Sequence, residues 1–387
     1  METVNLLIKL LTCALIGTVL NEQDKQQLDE QTLNQIYKIA KKHDMAHLLS
    51  TALKKNSITV EAQLEEKFNK AQLDAVNRYL RIDMDKERIF HILNTAQINH
   101  IPLKGTIIRE MYPEQWMRTS CDIDILIKPQ DISAVQNEFF GKLGFKPFAQ
   151  TSNRDISFAT PSGVHIELHH TLLEDENKVG QVLEKVWEYS NPSKGNAAQY
   201  EMAPEFFIMY IVSHAARHVT VGGCGIRPIY DLYFILNKMS YNKNILDELL
   251  ETVGLKTFFG VACELMNGWI KNEPMGDTAL SLQEYILSGG TYGSYENYIS
   301  ACVSGEGGKR KYLRKRFFMP IEDIKNRYPN VVKHPYLLNW YRLCRLCRAV
   351  IDGKTKRGIK EIKSSLKTPQ DNAVGLLLSK LELNEIK

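Results

Sequence analysis

CDIDILIKP, Cys121 to Pro129, sets two carboxylates one residue apart inside a run of isoleucine and leucine. In a strand, successive side chains point to opposite faces. Ile123, Ile125 and Ile127 then fall on a buried side, and Asp122, Asp124 and Leu126 fall on the other. Like charges this close raise the energy of the strand unless a cation or water lies between them. An acid pair on the wet face of an edge strand is the plain alternative, so the pair acquires meaning only from the rest of the chain.

The first support is VHIELHH, Val164 to His170. Here Val164, Ile166 and Leu168 share one face, and His165, Glu167 and His169 share the other. The segment ends a predicted hairpin, DISFATPSGVHIELHH, whose two β-rich runs meet at Pro161-Ser162-Gly163. Glu167 is therefore expected on the same exposed sheet face as Asp122 and Asp124. Three converging carboxylates repel one another, and a divalent cation resolves the repulsion. Hard Mg²⁺ prefers oxygen ligands and keeps several waters for a bound phosphate. His165 and His169 are each either partly exposed sheet histidines or hydrogen-bond partners for a carboxylate or an acceptor.

The second support lies upstream in PLKGT, Pro102 to Thr106, a strand and turn followed by a brief helix that stops at Pro113. Gly105 lets backbone come close to a ligand, and the helix start offers free N–H groups to an anion. Lys104 can place a charge near a phosphate, and Thr106 adds a hydroxyl. A Lys-Gly-Thr turn alone says little; its position before Asp-x-Asp gives it weight. Arg118, four residues before Asp122, is expected either to pair with that aspartate or to contact a phosphate. DISAVQNEFFGKLGF then reads as a helix, with Asp131 near its start and Gly144 near its end.

A Gly-containing turn, a short helix, a strand with Asp-h-Asp-h and a later strand with h-Glu-h, in that order, resemble the polymerase-β-type nucleotidyltransferases. PLKG, DIDILI and HIELHH resemble more narrowly a bacterial family of uncharacterised nucleotidyltransferases. Weaker similarity extends to HAARH, GIRPIYDL, GGTYG and RFFMPIEDIKNRYPNVVKHPYLL. The resemblance implies Mg²⁺-dependent transfer of a nucleoside monophosphate from an NTP, expected to be ATP, to an acceptor hydroxyl. Asp122 and Asp124 would hold two Mg²⁺ ions, with Mn²⁺ as a substitute, and Glu167 would complete the site at the second ion. Ions in such sites lie about 3.5–4 Å apart and stabilise both the attacking and the leaving oxygen. The chain departs from the superfamily at Gly105-Thr106, where Gly-Gly or Gly-Ser is usual. Threonine keeps the hydroxyl, but its β-branch tightens the turn.

The 387 residues, 44% hydrophobic and 24% charged, are ordinary for a globular chain of two or three domains. The expected fold is α+β and mainly helical. It comprises an N-terminal helical region (1–78), a nucleotidyltransferase α/β core with a mixed sheet (79–200), and a C-terminal helical domain (201–387) forming the other wall of a cleft. Gln31 to Gln97 shows helical periodicity, and its second part reads as one long helix or two. METVNLLIKLLTCALIGTVL has no positive start, and Lys9 interrupts it, so a buried amphipathic helix is expected rather than a signal or membrane anchor. Seven scattered cysteines argue against a disulfide framework and for a reducing cytoplasm. Cys344 and Cys347 read as one face of a helix rather than a zinc site.

His214 and His218 in SHAARH stand four apart on one helix face, as do Arg227 and Asp231 in GIRPIYDL, a spacing that allows a helix pair. Either these groups make interhelical hydrogen bonds, or His214, His218 and Arg227 stand at the cleft mouth, against triphosphate or acceptor. KRKYLRKR, Lys309 to Arg316, reads as a solvated face, with nucleic acid as the alternative ligand. A net charge of +4 does not mark a general nucleic-acid binder. The expected partners are an NTP donor and a small-molecule or protein acceptor, with no membrane. The rival readings are a non-catalytic nucleotide-binding or interaction protein on the same fold, and a toxin–antitoxin component whose acceptor is a partner protein. Three converging acids favour catalysis, since simple binding has no need of them.

Overall fold

A computed structural model describes residues 2–148, 155–172, 177–317, 334, 336, 338–341 and 373–384. The N-terminal segment folds as the buried helix expected of it: α1 (Glu2–Ile16) buries Leu6, Leu7, Leu10 and Leu11. Lys9, the charge that interrupts its apolar run, reaches Asp24 at 2.6 Å. Then follow α2 (Glu22–Gln26), α3 (Glu30–Lys42), α4 (Leu49–Lys55) and α5 (Ala62–Thr95). Asp29 caps α3 by accepting from the Thr32 amide at 2.7 Å. α5 is one uninterrupted helix of 34 residues, as suits a stretch with neither glycine nor proline.

The strands are β1 (His100–Pro102), β2 (Asp122–Ile127), β3 (Lys146–Pro147), β4 (Asp155–Ala159), β5 (His165–His169), β6 (Ser190–Ser193) and β7 (Asn196–Met202). They form a mixed sheet in the order β3-β4-β5-β2-β1-β7-β6. β2 runs antiparallel to β1 and parallel to β5, and β4 and β5 form the expected hairpin. The β6–β7 hairpin extends the sheet beyond β1, where the sequence gives no strand signal. SNPS and NAAQYEM lack β-branched alternation, and β7 meets β1 in parallel through the pair His100 and Gln199.

Between the strands lie α6 (Gly105–Ile108), α7 (Ile132–Lys142) and α8 (Lys178–Leu183). The remaining helices are α9 (Pro204–Thr220), α10 (Arg227–Lys238), α11 (Lys243–Thr252), α12 (Lys256–Lys271), α13 (Asp277–Ser288), α14 (Tyr295–Gly305), α15 (Lys309–Phe317) and α16 (Ala373–Lys380). The chain is α+β and mainly helical, as expected. The basic run Lys309 to Arg316 lies on α15. Cys344, Cys347 and nearly all of RFFMPIEDIKNRYPNVVKHPYLL lie outside the described residues. Among the described residues no helix is long and apolar enough to cross a membrane.

Each sheet face has its own core. Ile123, Ile125, Ile127, Phe158, Ile166 and Leu168 pack with Ile82, Ile89 and Leu93 of α5. On the other face Leu126 joins a larger core shared with α1 and α9. The face expected to be wet is therefore covered: Leu126 is fully buried and Asp124 is 5% exposed. Polar residues alternating on a strand identify a face without saying whether water or a lined cavity lies over it.

Candidate functional site

Parallel pairing of β2 with β5 sets Asp122 opposite His165, Asp124 opposite Glu167 and Leu126 opposite His169. The alternation on both strands thus converges its polar groups. Asp124, Glu167 and His169 offer ligand atoms that all lie within 4.8 Å of one another. His169 Nε2 is 2.9 Å from Asp124 Oδ1 and 3.5 Å from Glu167 Oε2. Burial pulls the His169 pKa down, but its bonds to Asp124 and Glu167 outweigh burial and leave it raised. His165 Nδ1 stands 3.7 Å from Glu167 Oε1, with its ring edge-on to Phe148 at 5.0 Å.

Lys104 crosses from the β1–α6 turn to the same carboxylate, its Nζ 3.1 Å from Asp124 Oδ1. Its backbone takes φ 41°, a region that non-glycine residues seldom occupy and that surrounding structure must enforce. Burial acts to lower the Lys104 pKa, yet the Asp124 charge holds it above its ordinary value, so it stays an ammonium. Asp124 is the mirror case, since burial raises it and Lys104 and His169 bring it well below the carboxylate range. Asp122 is pushed up to about 6 by burial, then by the charges of Asp124 and Glu167. One ammonium serves two aspartates, and the second aspartate is left short of a positive neighbour.

Gly105 has a packing role beneath this turn. A Cβ there would lie 2.7 Å from Arg118 Nη1, so glycine makes room for the guanidinium. Arg118 does not pair with Asp122. It forms a buried bidentate bridge to Asp231, Nε to Oδ1 and Nη2 to Oδ2 at 2.9 Å each, and Tyr112 donates to Asp231 Oδ1 at 2.7 Å. Nor do Arg227 and Asp231 form the helix pair that their spacing allows. A buried guanidinium needs a full carboxylate fork; Arg118 takes Asp231, and Arg227 turns to Asp44 at 3.1 Å. Thr106 is buried and does not line the cavity described below, and α6 is a single turn.

Asp122 and Asp124 open into a cavity of about 390 Å³, walled on the far side by α9 and α10; Glu167, His165 and His169 are not part of its lining. Lys104, Gly105, Arg118, Asp122 and Asp124 line it from the sheet side, and His214, His218 and Arg227 line it from the helices. The contact between the two histidines lies within α9 and not between helices. Their Nε2 atoms are 3.1 Å apart, and both residues face the cavity. Burial, then Lys104, hold His214 well below its ordinary pKa, so it is neutral near pH 7.

Several residues in or beneath the cavity wall escape sequence reasoning. Asp44 binds Arg78 Nη2 at 3.0 Å and Arg227 Nη2 at 3.1 Å, and it accepts from Thr119 Oγ1 at 2.6 Å. Tyr292, 80% exposed, stands at the cavity edge. Its loop is held where Gly293 packs on Gly222, a contact with no room for a Cβ. Arg109 is buried beneath the turn. Its Nε donates to the Gly105 carbonyl at 3.1 Å and its Nη2 to Ser120; burial, then Arg118, bring its pKa down to about 10. GGTYG was a sequence signal for the Tyr292 loop, whereas nothing in the spacing marks Asp44, Arg78 or Arg109.

A family model described as "Uncharacterised nucleotidyltransferase" matches residues 29–271, from the cap of α3 to the end of α12. That span holds every lining residue named above except Tyr292. No curated protein matches the chain.

Proposed function

The chain belongs to the uncharacterised nucleotidyltransferase family, and from that premise we propose that it moves a nucleoside monophosphate from an NTP to an acceptor hydroxyl. ATP is the expected donor, and a small molecule or a protein is the expected acceptor. The observation that carries this reading is the Asp122–Asp124 pair facing Glu167 across parallel strands, with Asp122 pushed up to about 6. A carboxylate cluster lacking one positive charge fits a hard divalent cation in both charge and donor type. Asp122, Asp124 and Glu167 would hold two Mg²⁺ ions; the imidazole of His169 also suits Mn²⁺. When bound, such ions supply charge compensation to the triphosphate and activate the acceptor oxygen.

The chain's own groups do the rest. Lys104 keeps its proton and stands ready to meet phosphate charge once Asp124 is otherwise engaged. His169 fixes the Asp124 carboxylate through a 2.9 Å bond. The turn at Gly105 is fixed from below by Arg109 and Arg118. His214, His218 and Arg227 face the carboxylates from the opposite wall, where donor and acceptor would be held in one orientation. Cys13, Cys121, Cys224, Cys263 and Cys302 are free thiols, in keeping with a cytoplasmic setting.

One observation favours the non-catalytic rival. Asp124 Oδ1 is already engaged by both Lys104 and His169, so the carboxylate has a partner without metal. Thermal unfolding with each NTP, in Mg²⁺, Mn²⁺ and EDTA, separates the two readings. A ligand at about 100 times its dissociation constant adds about 2.7 kcal/mol to the folded state. A stabilisation that needs the metal and disappears in Asp124→Asn supports transfer. Stabilisation by NTP that persists in EDTA and in the variant supports simple binding.

A further inference from the structure

The charges around the cavity pair off unevenly. Arg118 is matched by Asp231 and Lys104 by Asp124. Asp122 is left without a matched cation. Two further guanidiniums share the single carboxylate of Asp44. Arg78 comes from α5 and Arg227 from α10, so they approach Asp44 from separate walls. Asp44 has little capacity left, because Oδ2 already accepts from Thr119 at 2.6 Å as well as from Arg227. Arg227 Nε is buried with no hydrogen-bond partner among the described residues. Arg78 Nη1 makes only long contacts, 3.4 Å to Asp44 Oδ2 and 3.7 Å to Cys121 Sγ. A structural tie would need one cation for one carboxylate. A surplus guanidinium with unused N–H groups, facing a cavity, is instead the arrangement that recognises phosphate.

We propose that Arg78 and Arg227, splayed about Asp44, form a phosphate subsite of this cavity, built of groups other than the metal-binding carboxylates. Asp44 orients both forks and leaves their free edges to a phosphoryl group. The phosphate comes either from the far end of the donor triphosphate or from an acceptor that itself carries one. This inference rests on reading the cavity as a nucleotidyl-transfer site.

The test is calorimetric titration with inorganic pyrophosphate in EDTA, where the carboxylate site has no metal. Wild type binds it, and Arg78→Gln and Arg227→Gln each weaken binding about tenfold or more. Arg227→Lys, which keeps the charge and loses the fork, also weakens it. Asp44→Asn tightens it, because the competing carboxylate charge is gone; a purely structural role for Asp44 gives no such gain. A second titration, with Mg²⁺ and a non-hydrolysable NTP, names the source. If the donor supplies the phosphate, Arg227→Gln weakens NTP but not the nucleoside monophosphate. If the acceptor supplies it, NTP affinity is unchanged and pyrophosphate still binds the NTP-loaded wild type. No binding of pyrophosphate to wild type in EDTA, or wild-type affinity in both Gln variants, overturns the subsite. Failure of Mg²⁺-dependent NTP binding, with metal-free pyrophosphate binding intact, overturns the nucleotidyl-transfer reading instead.

Discussion

Asp122→Asn should make the metal-free protein more stable, although it removes a residue of the proposed site. Asp122 lies beside Asp124 on one strand face, and the nearby ammonium of Lys104 is committed to Asp124 at 3.1 Å. Burial, Asp124 and Glu167 together push the Asp122 pKa from 3.8 to about 6. A pKa raised on folding means that the folded chain holds the proton more tightly than the unfolded chain. The contribution to stability is thus fully present below pH 3.8 and is lost as pH rises through about 6. At roughly 1.4 kcal/mol per pH unit, the loss on the alkaline side amounts to about 3 kcal/mol. Asparagine carries no charge and escapes it. In urea unfolding with EDTA, the variant should exceed wild type by up to about 3 kcal/mol at about pH 8 and match it near pH 4. Adding Mg²⁺ should stabilise wild type and leave the variant unmoved. A variant less stable than wild type in EDTA at the higher pH, or a gap that ignores pH, would refute the electrostatic account.

Three further outcomes are expected. Gly105→Ala puts a Cβ 2.7 Å from Arg118 Nη1, and Arg118 cannot retreat from its bidentate bridge, so unfolding should show a loss of about 1–3 kcal/mol. His47 is buried, its Nε2 donating to the Met117 carbonyl at 2.8 Å, and burial holds its pKa down to about 4. Its contribution is intact above pH 6.5 and is lost as pH falls towards about 4; His47→Gln, which keeps a donor, should flatten that part of the stability profile. Tyr292→Ala removes a side chain that is 80% exposed and should leave stability within about 0.5 kcal/mol. It should weaken nucleotide by several-fold while leaving tripolyphosphate untouched, as a ring that stacks on a base would; equal effects on both ligands would exclude stacking.

Much of the fold was legible because period-2 alternation is a local property. DIDILI and HIELHH each declare two faces, and those faces became the core beneath α5 and the polar side of the site. Continuity of α5 was also available, since no helix breaker falls between Ala62 and Thr95. What local pattern cannot supply is the neighbour. The β6–β7 hairpin owes its place to pairing with β1 and not to intrinsic strand propensity. The covering of Asp124 comes from helices more than eighty residues further on, so a wet face and a lined cavity look identical in the sequence.

Charge partners were the least legible feature, and the reason is energetic. Spacing of four residues on a helix favours an exposed ion pair by only about 0.3–0.5 kcal/mol. Leaving a buried guanidinium without its carboxylate costs about 3–5 kcal/mol. The buried demand wins: Asp231 goes to Arg118, 113 residues away in sequence, and not to Arg227 one turn before it. Arg227 is thereby released to Asp44, 183 residues away, where Arg78 already sits. The same exchange, which sequence spacing does not reveal, sets the charges of the cavity wall. It binds the core to α10 through a neutral pair, gathers surplus positive charge at Asp44, and leaves Asp122 as an unmatched acid in the same lining. A lining that holds both an unmatched acid and surplus guanidinium is what a cation-bound polyphosphate requires, and neither can be altered without changing which partner the next arginine finds.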